Sequence, residues 1–210
     1  MNRITLFGLA ALLSVATFSG SAQEKTDSPE MQTLFGNKNI SIGGMGGPQV
    51  GLTSFNNREV WLVGGRGGVV INHSLIIGGG GWGIANMPKF YSIGGNDHAY
   101  IEGGYGGMLI EPIIKSNKLI HITMPILIGG GNLVWVKDPD QDPMDSMNEI
   151  DNDSFFVLEP GVEIELNVVR FMRIAAGIKY RWAPNLDLVD TQSDPFNGFT
   201  SCITFKFGKF

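Results

Sequence analysis

Met172–Trp182 reads MRIAAGIKYRW, and its alternation decides the fold. Met172, Ile174, Ala176, Ile178, Tyr180 and Trp182 share one face. Arg173, Ala175, Gly177, Lys179 and Arg181 share the other. Side chains of an extended chain point alternately to opposite faces, so a period of 2 marks a strand with one apolar and one polar side. The same period governs the chain from residue 40 onward. In 156–168, Phe156, Leu158, Pro160, Val162, Ile164, Leu166 and Val168 face one way, and Glu159, Gly161, Glu163 and Glu165 the other. In 120–128, Ile120, Ile122, Met124, Ile126 and Ile128 align. In 199–207, Phe199, Ile203, Phe205 and Phe207 oppose Thr200, Cys202, Thr204 and Lys206.

Four more strands, about 40–53, 60–71, 75–85 and 99–114, alternate less cleanly because glycine interrupts them. They carry GGMGG at 43–47, GGRGG at 64–68, GGGG at 78–81 and GGYGG at 103–107, spaced too irregularly for a solenoid. Glycine in mid-strand marks a bend or a close backbone approach. Clusters of it suit a small, strongly curved sheet with little interior room.

The composition agrees. The chain has 210 residues, 30 of them Gly, with 17% charged and 10% aromatic residues. That is about twice the usual glycine and too little charge and too much aromatic character for a disordered chain. One Cys excludes an internal disulfide framework. A net charge of −5 gives no support for nucleic-acid binding.

Residues 1–22, MNRITLFGLAALLSVATFSGSA, form a secretory signal peptide. Arg3 is the positive start, Ile4 to Phe18 the apolar run, and Gly20, Ser21 and Ala22 the small residues at the cleavage site. A polar periplasmic segment, 23–39, separates it from the barrel domain, 40–210. The most apolar later stretch, Leu119 to Val136, holds Pro125 and three consecutive glycines, so it is not a membrane helix. An exported chain of this pattern is a soluble barrel or a membrane barrel, since only helices and closed barrels cross lipid.

The connections decide between them. They are expected at 54–59, 72–74, 86–98, 115–118, 137–153, 167–171 and 183–197, with lengths of 6, 3, 13, 4, 17, 5 and 15 residues. Longer and shorter alternate, as in outer-membrane barrels with short periplasmic turns and longer external loops. The chain ends FKFGKF, an aromatic end on an alternating strand. Here the chain resembles the small eight-stranded outer-membrane barrels of the OmpA and OmpX type, over about residues 40–210. The resemblance is one of architecture rather than of a shared motif. It implies an all-β, closed antiparallel eight-stranded up-and-down transmembrane β-barrel in the cell outer membrane. It also implies that the C-terminal strand is the signal read by the barrel-assembly machinery, although Phe210 is out of phase with Phe207, Phe205 and Ile203.

In such a barrel the polar faces point inward. Pairing about a turn near Val169 sets Glu165 near Arg173, Gly161 near Gly177 and Glu159 near Lys179. The expected lumen charge network is Glu159, Glu163, Glu165, Arg173, Lys179 and Arg181, with Arg66 and Glu102 as further members. Its bland use is structural filling; its sharper use is a path for protons or small solutes, which ion pairs that fill the lumen argue against. Eight strands leave an interior just wide enough for side chains. Trp61, Trp82, Trp135, Tyr180 and Trp182 suit the interfacial girdles.

Other motifs lead nowhere definite. Gly78, Gly80 and Gly83 match GxGxxG, but Pro88 soon ends any helix there, as a dinucleotide site would need. Asp138, Asp140, Asp142 and Glu149 sit at calcium-loop spacing, but Pro143 stands where that loop needs Gly. His73, His98 and His121 form no Ser-His-acid pattern, and Cys202 is inward filling. No catalytic residue, cofactor or metal is expected.

The resulting expectation is a monomeric barrel, in contact with outer-membrane lipids, that presents loops 86–98, 137–153 and 183–197 outside. Phe90, Tyr91, Trp182 and Phe196 are the aromatics placed for contact, the external ligand being unidentified. The alternative is a soluble lipocalin-like barrel with Ile120, Ile122, Ile126, Ile174 and Ile178 inside, holding a small apolar ligand. A lipid-acting enzyme or a narrow pore has less behind it.

Overall fold

The structure, a computed structural model, describes residues 40–86, 88–94, 96–137 and 149–210. The expected signal peptide, the polar segment 23–39 and loop residues 138–148, with three of the four calcium-spaced acids, lie outside the described residues.

The strands are β1 (Ile42–Phe55), β2 (Arg58–Ile71), β3 (Leu75–Ile84), β4 (Lys89–Ile93), β5 (Asn96–Ile114), β6 (Ile120–Thr123), β7 (Ile126–Lys137), β8 (Glu149–Val169), β9 (Met172–Arg181) and β10 (Gly198–Lys209). Every pairing is antiparallel, and β1 pairs with both β2 and β10, which closes the sheet. The ring has eight walls, because β6 and β7 form one interrupted wall and β4 is a short addition to β5. The interruption falls at Met124–Pro125, where proline has no N–H for the ladder. Met124 N still donates to the Pro112 carbonyl (3.0 Å), and Gly161 N to that of Pro125 (2.8 Å).

The apolar faces point outward. Ile178 is 56% exposed while its neighbour Lys179 is 2%. Ile120, Ile122, Ile164, Ile203 and Phe205 are also exposed on the outer face. The soluble alternative needs the opposite assignment and is overturned. Inside, two apolar clusters close the ends. Phe55, Leu62, Trp82, Tyr105, Trp135, Phe155 and Phe196 pack at the loop end. Met45, Val70, Ile76 and Ile113 pack at the turn end, with Phe210 against them. Phe210 is out of phase with Ile203, Phe205 and Phe207 because it continues the inward face of Thr204 and Lys206 to the barrel mouth.

Several expectations need correction. The connection expected at 54–59 shrinks to a two-residue turn, with Asn56 and Asn57 at φ 45° and 63°. Paired positive φ is the geometry of a tight hairpin whose twist matches its strands, and Asn tolerates it. The alternation of long and short connections therefore loses its first term. Segment 86–98 is not a free loop, since β4 and the start of β5 fold into a hairpin there. Trp82 and Trp135 are buried inside rather than in a girdle, whereas Trp61, Tyr180 and Trp182 face out. Carrying the outward phase of Ile126 and Ile128 along β7 places Trp135 inside, a signal that position near a strand end obscures.

Narrowness explains the glycine. Gly107 and Gly129 face each other across β5 and β7, both pointing inward. A Cβ on Gly107 would lie 2.3 Å from the Ile128 carbonyl oxygen and 2.6 Å from the Gly129 Cα. On the outer face a Cβ at Gly46 would meet nothing nearer than 3.8 Å. Gly107→Val is therefore expected to cost about 1–3 kcal/mol or more from overpacking, and Gly46→Ala almost nothing. Heat-dependent gel mobility of the refolded variants checks this: G46A should show the folded band and G107V should lose it.

Candidate functional site

The lumen between the two apolar clusters holds the chemistry. Its walls present Arg66 from β2, Glu111 from β5, His121 from β6, Glu159, Glu163 and Glu165 from β8, Arg173, Lys179 and Arg181 from β9, and Lys206 from β10, all buried. An unpaired ion there would cost several kcal/mol, so the partners matter.

Near the loop end, Arg181 donates to Thr53 Oγ1 (2.9 Å) and to the Phe196 carbonyl (2.8 Å), and lies 3.5 Å from the Phe196 ring centre. Tyr105 OH donates to Glu159 Oε2 at 2.5 Å. Lys179 Nζ lies 3.5 Å from Glu159 Oε1, donates to Gln49 Oε1 (3.1 Å) and sits 4.4 Å from the Trp82 ring centre. At mid-height Arg66 pairs closely with Glu163 and lies 3.5 Å from Glu111. Toward the turn end Lys206 bridges Glu111 and Glu165. Glu165 also accepts from Arg173 Nη1 (2.9 Å) and contacts His121 Nε2 (3.0 Å). Each carboxylate thus meets at least one cation.

All six residues expected in the lumen face inward, but the register differs. Glu165 lies opposite Ala175, Glu163 opposite Gly177 and Gly161 opposite Lys179. The shift is the net of a turn that falls at Arg170 and Phe171 rather than at Val169 and of one extra β8 residue between Asn167 and Val169. Because it moves the pairing by two residues, every face is kept, and Arg173 and Lys179 still reach Glu165 and Glu159 diagonally. Glu102 is corrected outward: it sits on the outer side of β5 opposite Val134. The β5 carboxylate in the lumen is Glu111, which lacks an alternating signal because Met108–Ile114 is apolar on both faces. Lys206 and His121 are legible from phase alone.

The ends differ in charge. Among the described side chains, every carboxylate outside the lumen (Glu59, Glu102, Glu149, Asp151, Asp153, Asp187, Asp190 and Asp194) belongs to the loop end. The turn end carries Lys115, Lys118, Arg170 and Lys209. Loop 183–197 is drawn across the upper mouth. Asp153 accepts from Asp187 N (2.9 Å), Asp151 from Val189 N (2.8 Å) and Asp190 from Gly94 N (2.8 Å). Its Leu186, Leu188 and Phe196 are buried. Of the aromatics expected to make external contacts, Phe90 and Phe196 are therefore interior, Trp182 lies on the outer wall, and Tyr91 is exposed on the β4 hairpin. His98 meets Tyr91 edge-on, ring centres 4.9 Å apart, and Cys202 lies inward, 3.6 Å from Glu163. Among the described residues no three His, Cys, Asp or Glu side chains converge on a metal position.

No family model matches the sequence, and no curated protein matches it significantly. Solved structures do match. Neisserial surface protein A shares 11% identity and a TM-score of 0.51, over 82% of this chain and 100% of that one. The chain has the fold of a small outer-membrane β-barrel. Ail of Yersinia pestis, solved with the heparin analogue sucrose octasulfate, shares 11% identity at a TM-score of 0.46, over 80% of this chain and 97% of that one.

Breaking one buried pair should be costly and removing the pair less so. Glu163→Gln leaves Arg66 short of a counterion and is expected to cost about 3 kcal/mol. The double change Arg66→Met, Glu163→Leu should recover at least half of that loss. Urea unfolding of the refolded barrel, followed by tryptophan fluorescence, reads both values.

Proposed function

We propose that the chain is an integral outer-membrane barrel, exported by residues 1–22, with a closed lumen serving as scaffold and the loop end serving as the surface for external contacts. One observation carries this reading: a belt of exposed apolar side chains surrounds an interior filled with charge. A protein that folds in water does not expose so large a patch.

The belt has membrane dimensions. Its outward residues on β9 run from Met172 to Trp182. Ten steps at about 3.3 Å, tilted by roughly 40°, rise about 25 Å, which matches the apolar band of such barrels. Exposed Trp61, Tyr180, Trp182 and Phe199 crown its loop end, and Phe171 and Phe207 its turn end. Aromatic rings favour these two interfaces. Lipids of the outer membrane are then the partners of the wall, and the assembly machinery would read β10, which closes the ring against β1. A monomer suffices, since the lumen is complete within one chain.

The interior supports a scaffold rather than a conduit. Two apolar clusters and the ion pairs between them fill the cross-section, so the charges serve as filling. One neighbour of like fold, Neisserial surface protein A, is by its name a surface protein. For this chain the contact surface is the β4–β5 hairpin with Tyr91, and the ends of β7 and β8 beside it.

The test is fractionation of the host, with outer-membrane samples run on a gel before and after boiling. A membrane band whose mobility shifts on boiling supports the proposal, and a soluble band with no shift overturns it. Ile178→Lys, at mid-belt, should cost about 2–4 kcal/mol of stability in lipid vesicles, whereas Ile178→Val should not.

A further inference from the structure

We propose that the turn end carries a binding recess for the phosphate group of an anionic phospholipid, an inference that rests on the membrane reading above. The recess is about 480 Å³ in volume, lined by Asn167, Val169, Arg170, Arg173, Lys209 and Phe210. Three of these six are cations.

Arg173 is the organising residue. It is 94% buried, as its exposure is 6%. One guanidinium nitrogen is held by Glu165 at 2.9 Å, and its carbon lies 3.9 Å from the Phe210 ring centre. The group is therefore fixed in place before any ligand arrives, and a guanidinium offers five N–H donors in a planar fork suited to phosphate. Arg170, from the β8–β9 turn, and Lys209, at the end of β10, complete the lining. Neither has a side-chain hydrogen bond or ion pair among the described residues.

The field favours an anion here. Lys115 and Lys118 add positive charge to the same end, and the described carboxylates outside the lumen lie at the other. Within the lumen Glu165 is the nearest carboxylate, and Arg173, Lys206 and His121 already surround it.

The surroundings select a lipid over a bare anion. Val169, Phe171 and Phe207 are exposed beside the recess, Phe171 by 63%. They mark the level where the apolar belt meets the headgroups. A molecule with a phosphate joined to acyl chains satisfies the recess and this apolar margin together. A free phosphate uses the recess alone.

Native mass spectrometry tests this on the full-length barrel folded in a zwitterionic detergent. Folding is verified first by the heat shift, and a protein that never folds there defeats the membrane reading rather than this one. Phosphatidylglycerol should be retained at least about tenfold more strongly than phosphatidylcholine of the same chains, since each basic residue near an anionic headgroup adds to the attraction. Arg170→Ala with Lys209→Ala should abolish that preference, and Arg170→Lys with Lys209→Arg should keep it. Lys115→Ala with Lys118→Ala should change it by less than about threefold. Millimolar inorganic phosphate should not displace the lipid.

Three results overturn the proposal. One is equal retention of the two lipids by a folded barrel. Another is an equal loss in both alanine pairs, which means diffuse attraction and no recess. The third is displacement by inorganic phosphate, which means a bare-anion site.

Discussion

An eight-stranded ring is so narrow that each inward side chain must be matched to those across from it. The rest of the molecule follows from that crowding. Where Arg66, Trp82, Tyr105 and Lys179 cross the lumen, facing positions must give way, and they are glycine. Gly80, for example, lies across from Arg66, and a Cβ there would meet the Trp82 ring at 2.8 Å. The glycine runs are thus the negative image of the large polar side chains. Removing a glycine and removing a lumen charge disturb the same packing from opposite sides.

Crowding also settles the electrostatics. Water has little room among these side chains, so their charges must satisfy one another. Arg66 lies between Glu163 and Glu111, and Lys206 between Glu111 and Glu165. These contacts join β2, β5, β8 and β10, which are distant neighbours around the ring. They tie opposite walls together where backbone hydrogen bonds join only adjacent strands. Such pairs are weak evidence of stability, because their desolvation is costly. Their value lies in register: a one-residue slip in any strand would put a charge outside and an aliphatic side chain within.

The strands that pair charges with a clean period were the legible ones. On 156–168 and 172–182, alternation alone assigns every face, and the faces stand. The sequence pattern sets their mutual register two residues off, because neither the turn at Arg170 and Phe171 nor the extra residue between Asn167 and Val169 is marked in it. Glu111 and Glu102 cannot be assigned to a face from sequence for one reason: glycine and aliphatic residues fill both faces of β5, so nothing in its local pattern sets the phase. The Asn56–Asn57 turn has the sequence of a longer loop because its flanks, Ser54 and Arg58, are polar although they belong to strands. The cover formed by loop 183–197 depends on contacts with Gly94, Asp151 and Asp153, which come from distant parts of the chain. Local periodicity carries no signal for such contacts.

The two ends use charge differently, and this asymmetry has a structural part and an unexplained part. At the loop end, Asp151, Asp153, Asp190 and Asp194 each accept a backbone N–H and so hold the cover over the mouth. Carboxylates suit that task, since they accept hydrogen bonds and donate none. Their negative charge comes with the cover. At the turn end, the side chains of Lys115, Lys118, Arg170 and Lys209 hold nothing together among the described residues. Neutral polar residues would solvate those tight turns equally well. Four cations gathered there are therefore the feature of this end that the fold itself does not use, and they surround the recess proposed above for a lipid phosphate.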